Sequence, residues 1–303
     1  MTEFLISGYL RSGTTFFANF LNSQKNIYVG TDFLQTIFRA SHAINIKDFN
    51  KILTEREKNI MLSELKGEAI RFKVNWFENL NTNFSTLLEL YNISLKEIKK
   101  QERKKVIGTK VTITGKWINK LLDQTNIKVI YLYRDPRDVL LSSKNRFAFY
   151  NYYRTFFEWK NDIENVISLS NKNLLILKFE DLVLDTNETL KKVEKFLEVD
   201  ISIDKTHTSH SGVKWTNNSS FHDIKKIFDP TSCFRWKKEK KKKEIIHTEI
   251  FIPKLLKKLG YPISKKYNSI QKIKAYYEYI LGSIFYNKET IELFLKLRAK
   301  LLP

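Results

Sequence analysis

The stretch FLISGYLRSGTTFFANFLNSQ, residues 4–24, decides the fold. It opens as an apolar strand around Phe4, Leu5 and Ile6 and closes as a helix with apolar residues in helical rhythm. Between them stands Gly8-Tyr9-Leu10-Arg11-Ser12-Gly13-Thr14-Thr15. A strand that ends in a glycine-bounded turn and runs straight into a helix aims several backbone N–H groups, and the positive end of the helix dipole, at one point. An anion belongs there. Arg11 adds a full charge and a forked donor, the Thr14 and Thr15 hydroxyls can donate to phosphate oxygens, and Gly13 permits close approach. In the usual nucleotide triphosphatase pattern G-x-x-x-x-G-K-[ST] the lysine slot is Thr14 here, so a γ-phosphate has no obvious partner. The competing reading is a glycine turn with a purely structural purpose.

Outward from this stretch, short apolar runs recur between helical patterns, at 3–7, 69–74, 106–111, 128–133 and 173–179. Runs such as Val129-Ile130-Tyr131-Leu132-Tyr133 and Leu174-Leu175-Ile176-Leu177 are apolar without alternation, as parallel strands covered on both faces require. The chain therefore reads as a three-layer α/β protein, with a mostly parallel central sheet flanked by helices and a P-loop-like first turn. Residues 200–234 are polar and rich in Ser, Thr and His, and read as a long loop.

The second informative stretch is Tyr131-Leu132-Tyr133-Arg134-Asp135-Pro136-Arg137-Asp138-Val139-Leu140-Leu141-Ser142-Ser143. An apolar strand ends at Arg134, Asp135 is placed to cap a new helix, and Pro136 suits its first turn. Asp135 and Ser142 are nearly two helical turns apart and share a face. Arg134 leaves the carboxyl edge of the sheet, where open α/β proteins bind their ligands. An Arg and a Ser brought together there make a second phosphate clamp.

With these residues the chain resembles the sulfotransferases that use 3′-phosphoadenosine-5′-phosphosulfate (PAPS) and release adenosine 3′,5′-bisphosphate (PAP). The family's donor loop is similar to Arg11-Ser12-Gly13-Thr14-Thr15, running on into Phe16, and holds the 5′-phosphosulfate. Its 3′-phosphate signature, an Arg followed eight residues later by a Ser, matches Arg134 and Ser142. Phe179-Glu180-Asp181-Leu182, Arg235-Trp236-Lys237-Lys238 and Leu259-Gly260-Tyr261 resemble further family segments, with Arg235 and Trp236 implied as nucleotide contacts. The resemblance reaches about residue 265. It implies a PAPS-binding sulfotransferase domain over 1–265, followed by a helical extension over 266–303.

The resemblance also implies a reaction: transfer of a sulfuryl group, without metal, to a hydroxyl or amine of a carbohydrate, lipid or other metabolite. Lys110 looks like the lysine the family sets beside the donor sulfate; the bland alternative is an exposed lysine at a strand end. The cytosolic branch places a His two residues later, where this chain has Thr112, so the resemblance leans to the bacterial and tyrosylprotein-like branch. Members of that branch place an acidic residue in a segment similar to Val29-Gly30-Thr31-Asp32-Phe33. Asp32 is then the candidate general base, a role needing a raised pKa; capping a helix near Phe33 is the equal alternative.

Bulk properties bound these readings. A chain of 303 residues can bury a substantial core. Its Met-Thr-Glu start leads directly into a strand, and one cysteine, Cys233, argues against a disulfide framework, so a cytoplasmic protein is expected. The net charge of +20 attracts anions of any kind and does not choose among them. Two rivals remain on these grounds: a small-molecule kinase using ATP, and a non-catalytic basic protein that binds nucleic acid. The second lacks a reading motif, and no nucleic acid is expected as partner.

His207 and His210 read as solvated loop histidines rather than metal ligands. The aromatic run Phe147, Phe149, Tyr150, Tyr152, Tyr153, Phe156, Phe157 and Trp159 reads first as helix core, with an acceptor-pocket floor as the alternative. The tail puts Ile270, Ile273, Tyr277, Ile280, Ile284, Ile291 and Leu295 near one helical face, which reads as a docked helix, with peripheral membrane contact as the alternative. Acceptor and oligomeric state are not encoded in any motif.

Overall fold

The computed structural model describes residues 2–31, 37, 48–72, 76–112, 115–146, 151–203, 228–239 and 242–284. Its contacts divide the chain into two compact units, Met1–Arg134 with Asp162–Pro230, and Asp135–Asn161 with Thr231–Pro303. Asp32, most of the polar loop after residue 203, and Phe147, Phe149 and Tyr150 lie outside the described residues.

In the first unit the strands β1 (Thr2–Ser7), β2 (Ile27–Thr31), β3 (Val106–Lys110), β4 (Lys128–Tyr133) and β5 (Leu174–Lys178) form one sheet in the order β2-β3-β1-β4-β5. Every pair is parallel. β1 is central, and Phe4, Leu5 and Ile6 are fully buried. β3 is buried along its whole length. Burial on both faces is why β1, β3 and β4 show no alternation, whereas β5, expected to be covered on both faces, is an edge strand that is half-buried except at Leu177.

Parallel neighbours cannot be joined by tight turns, so helices carry the crossovers. They are α1 (Thr14–Asn22), α2 (Glu55–Phe72), α3 (Leu87–Glu102), α4 (Gly115–Gln124), α5 (Pro136–Arg146), α6 (Tyr152–Ile167), α7 (Phe179–Leu184) and α8 (Thr186–Leu197). Of these, α1, α3, α4 and α8 pack on the strands, and the α/β class expected from the sequence is what the chain adopts. The strand expected at 69–74 is not formed over its described part, because residues 69–72 belong to α2; residues 73 and 74 lie outside the described residues. A reciprocal pair starts that helix: Glu57 N–H donates to Thr54 Oγ1 (3.3 Å) and Thr54 N–H to Glu57 Oε2 (2.9 Å). The fifth strand is instead β2, an edge strand tied by Val29 N–H to Asn22 Oδ1 at 2.8 Å.

The second unit contains α5, the first part of α6, a 3-10 turn Arg235–Glu239, and α9 (Lys243–Phe251), α10 (Pro253–Lys258) and α11 (Ser269–Ile284). Tyr152, Phe156 and Trp159 are buried, which favours the core reading for those three aromatics. α11 docks on α9, though not through the described members of the isoleucine stripe. Ala275 is buried and Tyr279 meets Phe251 (5.5 Å between centroids), while Ile270, Ile273 and Tyr277 are exposed. No helix among the described residues is long and apolar enough to cross a membrane.

His247 on α9 sits inside that docking interface, with Nε2 3.4 Å from Glu278 Oε2 of α11. Burial holds its pKa below the usual histidine value although Glu278 and Glu244 oppose it; Lys243 and Lys274 push the same way as burial. The unfolded chain therefore binds a proton near pH 6.5 that the folded chain resists. Stability from this site is complete above that value and is lost as pH falls through the depressed folded one. The urea midpoint is expected to fall between pH 7.5 and 5.5, with a smaller fall in His247→Gln; equal slopes in the two proteins would refute this role.

Candidate functional site

The carboxyl edge of the sheet is built from the first unit alone. β1 ends at Ser7, and the turn to α1 needs both of its glycines. A Cβ at Gly8 would stand 2.2 Å from the Leu132 carbonyl oxygen. At Gly13, which has φ +90°, a Cβ would strike the Phe179 ring at 2.5 Å. Gly13 is also the N-cap of α1 and brings no side-chain acceptor to the first turn, leaving those N–H groups for an anion. The turn closes through Ser12 N–H to the Tyr9 carbonyl at 3.2 Å. Arg11 stands in the left-handed region at φ 69°, a conformation of order 1 kcal/mol unfavourable for a side-chain-bearing residue.

Ser12 carries the most direct sign of a ligand. Its residue is 0% exposed, and its hydroxyl has no hydrogen-bond partner among the described residues. A buried hydroxyl left so costs of order 1–3 kcal/mol. An oxyanion at the turn would remove that cost, so the residues present fit a bound phosphosulfate. Thr14 is buried as the first residue of α1, while Thr15 and Phe16 are half-buried.

Two more cations converge on this edge. Lys110 ends β3 in register with Ile6 of β1, and it is 6% exposed, which overturns the reading of it as an exposed strand-end lysine. Arg134 follows β4, is 7% exposed and donates from Nη1 to the Arg11 carbonyl at 3.3 Å. Its guanidinium lies 4.7 Å from the centre of the Phe179 ring, the same ring that abuts Gly13. Arg11 in the turn after β1, Lys110 at the end of β3 and Arg134 just past β4 are thus brought to one edge by the sheet order itself. Tyr133, beside Arg134 in the chain, has its phenol pushed up to about 12 by burial and then by Asp181 and Glu180.

In the second unit the expected cap is present: Asp135 Oδ1 accepts from Arg137 N–H at 3.0 Å, with Pro136 opening α5. Ser142 is buried on α5. Arg235 is half-buried, and its Nε donates to the Thr231 carbonyl at 2.9 Å. Trp236 is buried with Leu141 and Ile245. Its backbone N–H donates to Asp138 Oδ1 at 2.8 Å, and its ring lies 3.5 Å below the Arg137 guanidinium.

That guanidinium has no role in the sequence motifs, yet it is fully buried and engages Asp135 twice (Nε to Oδ1 2.9 Å, Nη2 to Oδ2 2.7 Å). Nη1 donates to Glu249 Oε1 at 2.6 Å and to the Pro262 carbonyl at 2.7 Å. Glu249 in turn accepts from the Ser264 hydroxyl at 2.6 Å and the Tyr267 hydroxyl at 2.7 Å. Burial alone would lower the Arg137 pKa, but the two carboxylates hold it above its ordinary value. Asp162, in the first unit, was likewise missed: its buried partners Gly115 and Tyr131 lie 47 and 31 positions away, so nothing near it in the sequence signals them.

Comparison with known proteins agrees with this geometry. Residues 1–250 match the sulfotransferase domain family. Sulfotransferase 2A1 of Mus musculus is 30% identical over 121 residues, covering 32% of this chain and 42% of that protein. Sulfotransferase 2A6 of Mus musculus is 31% identical over 121 residues, with the same coverage of 32% and 42%. The chain thus spans about two-fifths of the length of the curated relatives it matches. Among solved structures, the sulfotransferase domain from the curacin biosynthetic pathway has a TM-score of 0.56 at 16% identity, covering 87% of this chain and 99% of that one. The sulfotransferase domain from the Synechococcus PCC 7002 olefin synthase has a TM-score of 0.50 at 21% identity, with coverage of 78% and 86%. At such identities these structures speak to the fold, while the match over residues 1–250 speaks to descent: the chain belongs to the sulfotransferase domain family.

Proposed function

We propose that this sulfotransferase takes its sulfuryl group from PAPS and passes it to a hydroxyl or amine of a carbohydrate, lipid or other metabolite. The observation that carries the reading is the glycine turn with its buried, unpartnered Ser12 hydroxyl, flanked by Arg11, Lys110 and Arg134. Bound PAPS supplies an activated sulfur whose bridging bond to the 5′-phosphate oxygen breaks as the acceptor atom bonds to sulfur, and PAP leaves. The remaining chemistry is positioning and charge stabilisation.

In this reading Ser12, Gly13, Thr14, Thr15 and Phe16 offer N–H and O–H donors to the 5′ end. Arg11 and Lys110 balance charge on the migrating group and on the leaving oxygen. The resemblance gives the 3′-phosphate to Arg134 and Ser142 and a supporting contact to Arg235. Trp236, stacked under Arg137, would act by fixing the 3-10 turn that carries Arg235. Asp32 is proposed to accept the acceptor's proton. Residues up to about 265 would form the donor-binding domain, and α11 would begin the extension.

The test is transfer from sulfur-labelled PAPS to panels of sugars, lipids and phenols in the presence of a metal chelator. Label in an acceptor is expected. ATP consumption that depends on magnesium, with no label transferred, would favour a kinase instead.

A further inference from the structure

Behind the glycine turn lies a buried polar chain that none of the motifs accounts for. Asp162 on α6 is 4% exposed. One carboxylate oxygen accepts from the Gly115 N–H, where α4 begins, and the other from the Tyr131 hydroxyl on β4. Close approach makes the first of these bonds reachable: a Cβ on Gly115 would stand 2.8 Å from the Asp162 carbonyl oxygen and from Val166 Cγ2. The Tyr131 hydroxyl also takes a hydrogen bond from the Tyr9 backbone, inside the turn itself. Burial, and then the charge of Asp162, hold the Tyr131 phenol well above its ordinary pKa, so it stays a donor.

The connectivity matters because of what each end holds. Tyr9 lies between Gly8 and the Arg11 residue at φ 69°, and its carbonyl receives the Ser12 N–H. Gly115 is the first residue of α4, the helix that follows β3 and its terminal Lys110 in the chain. An apolar pair of similar volume would fill the same space without the desolvation cost of a carboxylate. What the carboxylate adds is direction, since its donors Tyr131 and Gly115 set the relative positions of the turn and of the start of α4. With both oxygens engaged by such donors, Asp162 is unsuited to take a proton from an acceptor.

We propose that Asp162 is a positioning residue for the sulfuryl-donor site: through Tyr131 it holds the Gly8–Gly13 turn in its anion-binding form, and through Gly115 it anchors the start of α4 behind that turn. This rests on the PAPS reading above. Loss of the tie lets Arg11 relax from its left-handed conformation, which disperses the N–H groups that face the anion.

The experiment uses Tyr131→Phe, which keeps the ring, with Asp162→Asn and the double variant. PAP affinity is read by calorimetry, Tyr9 amide protection by hydrogen exchange, and stability by urea unfolding. Ile163→Val, a buried neighbour on α6, serves as the control for a merely structural effect. Each single variant is expected to weaken PAP about tenfold and to expose the Tyr9 amide, and the double variant to weaken it no more than the stronger single. Ile163→Val should lower the urea midpoint and leave PAP affinity unchanged. PAP binding by the unaltered protein with the same affinity in Tyr131→Phe overturns the tie alone; no PAP binding by the unaltered protein counts against the donor reading.

Discussion

Arg11→Gly is expected to reduce sulfuryl transfer about a thousandfold at saturating donor while leaving the unfolding midpoint unchanged or slightly raised. The size follows from removing one charge-bearing donor from a preorganised anion site, which costs roughly 10²–10³ in rate, with further loss of a full positive charge. Glycine is the informative replacement, because it adopts φ 69° without strain and so preserves the turn that Arg11 now occupies at a conformational cost. Alanine would confuse lost charge with a shifted backbone. Arg11→Lys should recover part of the rate, since it restores charge but not the planar fork. The two measurements are label transfer and urea unfolding on the same preparations. Transfer within threefold of the unaltered protein would show that Arg11 does not face the migrating group.

The second large effect concerns stability. Arg137→Met is expected to cost about 3–5 kcal/mol, because it strands the buried carboxylates of Asp135 and Glu249 without their cation. It also removes the surface on which Trp236 stacks, loosening the Arg235–Glu239 turn. Neutralising the stranded groups in Arg137→Met/Asp135→Asn/Glu249→Gln should recover much of the loss, since the penalty lies in the unpaired charges more than in the missing pair. Denaturant unfolding followed by fluorescence of the tryptophans would read both. A single variant within about 1 kcal/mol of the parent would mean that water reaches these carboxylates.

Much of the fold was legible because the central strands β1, β3 and β4 are buried on both faces and announce themselves as unbroken apolar runs. Phe4-Leu5-Ile6 and Val129–Leu132 are examples, and each leads into a turn whose residue types carry their own geometry. The Asp135-Pro136 cap was readable for the same local reason. β2 was not, being a five-residue edge strand whose register depends on β3 and on the Asn22 side chain. The run at 69–74 misled because α2 carries β-favouring residues at its end, and the pair of Thr54 and Glu57, twelve or more residues upstream, had already committed that chain to helix.

The candidate site divides along similar lines. Lys110 ends β3, Arg134 follows β4 and Arg11 stands in the turn after β1, so a sequence that reveals the strands also reveals the edge. Burial of Lys110, and the unpartnered hydroxyl of Ser12, emerge only once the strands are ordered. The partners of Arg137 and Asp162 depend on contacts far apart in sequence: Glu249 lies 112 positions from Arg137 and Asp162 lies 47 from Gly115. No window of sequence contains both ends of either link. For the tail, periodicity identified a helix over 269–284, but among the described side chains Ala275 and Tyr279 dock while Ile270, Ile273 and Tyr277 are exposed; Ile291 and Leu295 lie outside the described residues.

Calorimetric titration of the unaltered protein with PAP, ADP and ATP, at matched ionic strength, tests the proposed donor site most directly. Binding of PAP in the micromolar range, at least a hundredfold tighter than ATP and abolished in Arg134→Ala, is expected of a turn that lacks the γ-phosphate lysine and is paired with a 3′-phosphate clamp. ATP binding as tight as PAP, or PAP binding indifferent to Arg134, would contradict it.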